Sequence, residues 1–140
     1  KGLVFHGAAD VRYDEMVDPT PTECTDVVVK MRLCSICGSD LHIYHGGLAP
    51  PRNVFGIGHE AMGEVVEVGK DVKHLKLGDR VMLPGSTGCG ECRYCQVGLV
   101  NSCERGGMQV YGIGRELEGC QAEFIRVPNG DFNAKIGRAS

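Results

Sequence analysis

Apolar and polar residues alternate, or β-branched residues run together, in six short stretches: Leu3 to His6, Val11 to Met16, Val27 to Ile36, Gly63 to Val68, Arg80 to Leu83 and Ala122 to Val127. A period of two sends successive side chains to opposite faces of a strand, so each stretch predicts a β-strand. Pro19-Thr20-Pro21, Gly46-Gly47, Gly69-Lys70-Asp71 and Gly78-Asp79 separate them. These residues either pre-set φ or tolerate the conformations that turns need. Many short strands with frequent turns predict a mainly β domain, such as a small barrel or a folded-over sheet. One short helix is expected after Cys37, with Ser39 or Asp40 capping Leu41 to Tyr44 and Gly46 ending it. Between Gly85 and Gly119 neither period persists, and so long a loop in a compact domain needs a staple or a function.

Length and composition narrow this picture. The 140 residues suit one domain, and 42% hydrophobic content suffices for a core. Disorder and a long helical bundle are therefore excluded. The net charge of −3, with no run of like charges, leaves no electrostatic footprint for nucleic acid or an anionic membrane. No stretch approaches the roughly 18 apolar residues of a membrane span, and no apolar secretory core follows Lys1 to His6. A cytoplasmic location is expected, where thiols stay reduced and clustered cysteines bind metal or do chemistry. The chain starts without Met, and Ile136 to Ser140 resembles neither a docked helix nor a polar tail. A segment of a longer protein is expected.

Four of the eight cysteines supply the staple: Cys89, Cys92, Cys95 and Cys103 fall within one short loop. Zn²⁺ prefers four tetrahedral ligands, and a shell filled by sulfur leaves no position for substrate, so this site is expected to be structural. An iron–sulfur cluster also takes four cysteines and is the competing assignment. The lobe is expected over residues 88–106, with Arg93 and Arg105 placed to offset the thiolate charge.

A second constellation lies upstream, in Cys37-Gly-Ser-Asp-Leu-His42 and Gly58-His59-Glu60. Cys37 and His59 are two mixed ligands from separate segments, as in an open catalytic zinc site. Glu60 is a third ligand or sits just outside the shell. The metalloprotease motif is excluded because Gly63 stands where its second His belongs. Cys34 and Cys37 have thioredoxin-type spacing without the surrounding βαβ pattern. Cys24, Cys34 and Cys120 are expected as small buried residues on strands, and Met31, Met62, Met82 and Met108 as core or pocket fillers. His6, His45 and His74 are expected in packing or surface positions. Tyr44, Tyr111 and Phe124 are candidates to line a substrate cleft.

From Val29 to Val127 the sequence resembles the zinc-dependent medium-chain alcohol dehydrogenases, in their N-terminal GroES-like catalytic domain. The resemblance rests on Cys37 to His42, Gly58 to Gly69, Leu77-Gly-Asp-Arg-Val81, the cysteine lobe and Gln121-Ala-Glu-Phe124, in that order. It implies a mainly β fold, a partly open GroES-like barrel with a few short helices and an extended structural-zinc lobe, filling residues 1–140. It also implies one structural and one catalytic Zn²⁺. Cys37 and His59 would bind the catalytic ion, with Glu60 a close or alternating ligand. Asp40 would orient His59, Ser39 would hydrogen-bond the substrate oxygen, and His42 would relay the proton through the cofactor ribose.

The implied reaction oxidises an alcohol to an aldehyde or ketone, with hydride transfer to NAD or NADP. The implied partners are a small alcohol or aldehyde, a Rossmann domain of the same longer chain, and further copies in a homodimer or homotetramer. Gly38 stands where some members carry a basic residue against the cofactor pyrophosphate. Gly112-Ile-Gly114 lacks the third glycine of the nucleotide fingerprint, so the Rossmann domain and the third zinc ligand would lie beyond Ser140. Polyol, threonine and formaldehyde dehydrogenases share much of this pattern. A non-catalytic, zinc-stapled binding module is the alternative from another class, and metal stoichiometry separates it from the enzyme.

Overall fold

The computed structural model describes residues 1–47, 52–105, 109–113 and 115–137. Met108, Gly114 and the end of the expected lobe at Gly106 lie outside the described residues. The described elements are, in chain order, β1 (Gly2–Gly7), β2 (Asp10–Asp14), β3 (Val27–Cys34), α1 (Gly38–Tyr44), β4 (Phe55–Gly56), β5 (Ala61–Val68), β6 (Arg80–Leu83), β7 (Ser86–Thr87), α2 (Arg93–Gln96), β8 (Gln109–Val110), β9 (Phe124–Val127), α3 (Gly130–Asn133) and β10 (Lys135–Ile136). All six expected strands are present, with ends displaced by one or two residues.

Strand pairing is antiparallel throughout. A five-stranded sheet has the order β10-β6-β5-β3-β9, a three-stranded sheet the order β2-β1-β4, and β7 pairs with β8. Among the described residues the sheets stay open, and the bridge between Gly2 and Ala122 connects β1 to the approach of β9. The mainly β, partly open architecture expected from the sequence is present. On β3, Val27 faces Val68 and Val127 across its two neighbours, and Val29 faces Val65 and Ile125. Val27, Val29, Val65, Val81, Ile125 and Val127 are buried together with Tyr111, Leu117 and Cys120. Such β-branched pairs on one face remove apolar area from water and fix the register, because a one-residue slip would turn the set to solvent. A second cluster of Phe5, Ile43, Phe55 and Ile57 clamps α1 onto the three-stranded sheet.

Several local expectations need correction. The helix after Cys37 is capped by Cys37 itself, and Asp40 stands at its third position with a carboxylate reaching back to the Cys37 N–H at 2.8 Å. The expected single helix is joined by α2 and α3. The stretch from Gly85 to Gly119 is not wholly irregular, since it carries β7, α2, a 3-10 turn at Val100–Ser102 and β8. Tyr111, a candidate to line a cleft, is instead fully buried in the main core. Met82 is 58% exposed, because its neighbours Val81 and Leu83 take the inward face of β6. Cys24 lies in a turn and Cys120 in a bend, although Cys120 is buried as expected.

Candidate metal centres

The sulfurs of Cys89, Cys92, Cys95 and Cys103 all lie within 4.8 Å of one another. None of the eight cysteines forms a disulfide. Zinc–sulfur bonds of about 2.3 Å in a tetrahedron place sulfurs about 3.8 Å apart, and Cys89 and Cys95 are separated by 4.0 Å. The donor set therefore fits zinc. Cys92 caps α2 and Cys95 lies inside it, so one short helix presents two of the four thiols. Backbone N–H groups of Glu91 and Cys92 donate to Cys89 Sγ at 3.4 and 3.3 Å, and the Cys89 N–H donates to Cys103 Sγ at 3.4 Å. Such donation favours thiolates. The Cys95 N–H, followed by that of Glu104, holds the Cys92 thiol below its ordinary range, whereas burial pushes Cys95 up to about 11.

The lobe is tied to the sheet by α3. Asn133 accepts from Gly88 N–H and donates to Gly88 C=O, each at 2.9 Å, and Asn129 Nδ2 donates to the Cys89 carbonyl at 2.9 Å. Arg93 and Arg105, expected to offset the sulfur charge, are engaged elsewhere. Arg93 pairs with Glu104 at 3.3 Å and Arg105 pairs with Glu91. Carboxylates on the same lobe thus meet both guanidinium groups.

Cys37 and His59 come together from the mouth of α1 and the segment before β5, with Cys37 Sγ 3.0 Å from His59 Nε2. Asp40 completes a set of three whose ligand atoms lie within 4.8 Å of one another. Asp40 is 4% exposed. Its Oδ2 holds the Cys37 amide, and its Oδ1 stands 3.7 Å from His59 Nδ1. Both Asp40 Oδ1 and His59 Nδ1 are buried without a hydrogen-bond partner. A closure of less than about 1 Å would join them, fixing the imidazole tautomer and leaving Nε2 as the ligand atom. A tetrahedral zinc would hold S and N about 3.5 Å apart, given bonds of about 2.3 and 2.0 Å. The pair need part by only about half an ångström. Cys37 and His59 could thus hold a metal with positions left open.

The other expected residues stand differently. Ser39 and His42 are exposed on α1, three residues apart and so on one face. The Glu60 side chain is exposed and outside the converging set, while its carbonyl accepts the Ser35 N–H at 3.0 Å. Gln121, which carried part of the resemblance but was given no part in the site, touches both ligand-bearing segments. Its N–H donates to the Ile57 carbonyl and its side-chain amide to the Ser35 carbonyl, each at 3.0 Å. Only the fold brings these positions together, and no spacing in the sequence signals it.

Comparison with known proteins follows the same lines. Zinc-type alcohol dehydrogenase B of Aspergillus flavus is 41% identical over 131 residues, spanning 94% of this chain and 30% of that protein. Glutathione-independent formaldehyde dehydrogenase of Pseudomonas aeruginosa is 36% identical over 145 residues, spanning 95% of this chain and 36% of that protein. Alcohol dehydrogenase TADH from Thermus sp. ATN1 superposes with a TM-score of 0.89 at 38% identity, covering 96% of this chain and 39% of that one. The chain thus spans about a third of the length of these relatives. Residues 23–136 match the family described as the alcohol dehydrogenase GroES-like domain. That match covers most of the chain, so the chain belongs to the GroES-like domain family of the alcohol dehydrogenases.

Proposed function

We propose that residues 1–140 form the catalytic GroES-like domain of a zinc-dependent dehydrogenase. The enzyme interconverts a small alcohol and its aldehyde or ketone, with NAD or NADP held by a Rossmann domain of the same longer protein. The carrying observation is the 3.0 Å approach of Cys37 Sγ to His59 Nε2 beside the buried Asp40. The four cysteines of the lobe would hold a second, structural zinc. Zinc bound by Cys37 and His59 supplies Lewis-acid polarisation of the substrate oxygen.

The chain's own residues do the rest. Asp40 orients the site in two directions, holding the Cys37 amide with one oxygen and facing His59 Nδ1 with the other. Ser39 Oγ, on the first turn of α1, accepts the hydroxyl proton of the substrate as its own hydroxyl proton passes on. His42, on the same exposed face, carries that proton toward solvent. Removing the proton spares the site a protonated carbonyl when hydride leaves and keeps the proton out of the cleft. Relatives named for alcohol and for formaldehyde both match this chain, so the substrate class is a small primary or secondary alcohol or its carbonyl product.

Metal content of the intact protein, measured by mass spectrometry or atomic absorption, tests the reading. Two zinc ions per chain are expected. Cys37→Ala and His59→Ala should each leave one ion and abolish turnover. One ion in the parent overturns the reading in favour of a zinc-stapled module, and normal turnover in either variant overturns Cys37 and His59 as ligands of a catalytic ion.

A further inference from the structure

We propose that Gln121 is a positioning residue for the Cys37–His59 pair, an inference that rests on the reading of that pair as a metal site. The two residues belong to segments 34–37 and 57–60, and the strip 119–121 lies against both. Along one side its backbone follows 56–58: Gly119 N–H donates to Gly56 C=O at 2.9 Å, Cys120 N–H to Gly58 C=O at 3.0 Å, and Gln121 N–H to Ile57 C=O at 3.0 Å. On the other side it reaches the Cys37 loop. Cys34 S–H donates to the Cys120 carbonyl at 2.8 Å, and Gln121 Nε2 donates to the Ser35 carbonyl at 3.0 Å.

Gln121 therefore bonds to the His59 segment through its main chain and to the Cys37 segment through its side chain. The side chain also lies against Gly58, the residue before His59. Gly58 has a φ of +100°, and a Cβ there would lie 2.5 Å from Gln121 Cγ and 2.9 Å from Gln121 N. Glycine at 58 and glutamine at 121 are thus two halves of one contact. Ser35 is two residues before Cys37, and its N–H is held by the Glu60 carbonyl. With Gln121 on its carbonyl, both backbone groups of Ser35 are anchored to the segments that flank His59. Loss of the amide donor would free the carbonyl side of that anchor and let Cys37 drift from His59. A metal site responds to such drift because its ligands must sit within a fraction of an ångström of the bonding positions.

The test uses the intact protein and two substitutions. Gln121→Met keeps the packing on Gly58 and removes the donor; Gln121→Glu turns an acceptor toward the Ser35 carbonyl. The more weakly held ion is removed with a chelator and Co²⁺ is titrated back, read by its visible thiolate and d–d bands. The four-cysteine site is monitored separately by retained zinc. Expected in both variants is about tenfold weaker Co²⁺ binding, the size usual for residues that orient ligands, with altered d–d bands and the lobe still loaded. Parent-like affinity and spectrum in Gln121→Met overturn the proposal. Loss of the lobe zinc along with the cobalt also overturns it, since the residue would then serve folding in general. A parent that takes up no Co²⁺ beyond the four-cysteine site refutes the metal reading of Cys37 and His59 instead.

Discussion

Asp26 is 1% exposed, and its Oδ2 accepts from Thr22 Oγ1, the Glu23 N–H and Arg126 Nη1, while Oδ1 accepts from the Asn129 N–H. Burial opposes its ionisation, but the Glu23 amide, the Arg126 guanidinium and the Asn129 amide together hold the carboxyl below the usual range. A carboxyl depressed on folding stabilises the protein fully above its unfolded value of about 3.9 and loses that contribution as pH falls through the folded value. Denaturant unfolding from pH 7 to 3 should therefore show stability falling below about pH 4. Asp26→Asn should cost about 2–3 kcal/mol at pH 7 and flatten this acid limb, a modest cost for a buried pair because Arg126 reaches solvent. An unchanged acid limb in the variant would contradict this account. Nothing around Asp26 in the sequence signals its role, because its cationic partner lies 100 positions away. Asp40 was legible only through the resemblance, since a lone buried carboxylate has no periodic signature.

At the scale of elements, the strands carry their own signature and the crossings between them do not. β6 alternates exposed and buried residues along Arg80–Leu83, as a strand with one covered face must. The contact of strip 119–121 with 56–58 has no such pattern, and depends on backbone approaching backbone at Gly119. A Cβ on Gly119 would lie 2.0 Å from the Ile57 carbonyl carbon and oxygen. Main chain cannot step aside as a flexible side chain can, so Gly119→Ala should destabilise by about 3 kcal/mol in chemical denaturation. Gly7, with nothing within 4 Å of an added Cβ, is the control, and Gly7→Ala should change stability by less than about 0.5 kcal/mol. Equal effects at the two positions would refute the close-approach argument. The short elements β4, β7, β8, β10, α2 and α3 carry no readable period, because two residues show no strand alternation and four make barely one helical turn.

For the whole molecule, a β domain with an open site on one segment pair is joined to a lobe with little apolar packing of its own. The lobe's buried cluster consists of Cys92, Cys95 and Cys103, with Cys89, Tyr94, Val100 and Phe132 packed against it. Metal binding should accordingly supply folding free energy there. Cys103→Ser with chelator present should lower the thermal midpoint by about 10 °C, a few kcal/mol for a domain of this size. Hydrogen exchange should rise across 89–103 first, while β3, β5 and β9 stay protected. Exchange rising equally in the five-stranded sheet would mean that the lobe and sheet unfold as one unit. No helix among the described residues is long and apolar enough to cross a membrane. The sequence alone determined what is local: the faces of the six longer strands and the four lobe thiols, which lie close enough along the chain to share an ion. The resemblance, not any local pattern, anticipated that Cys37 meets His59 with Asp40 behind it; tertiary structure brings them together and alone decided that Gln121 ties their segments. Periodicity records which face a residue buries, whereas the meeting of distant segments depends on sheet register and on close backbone approach at Gly58 and Gly119.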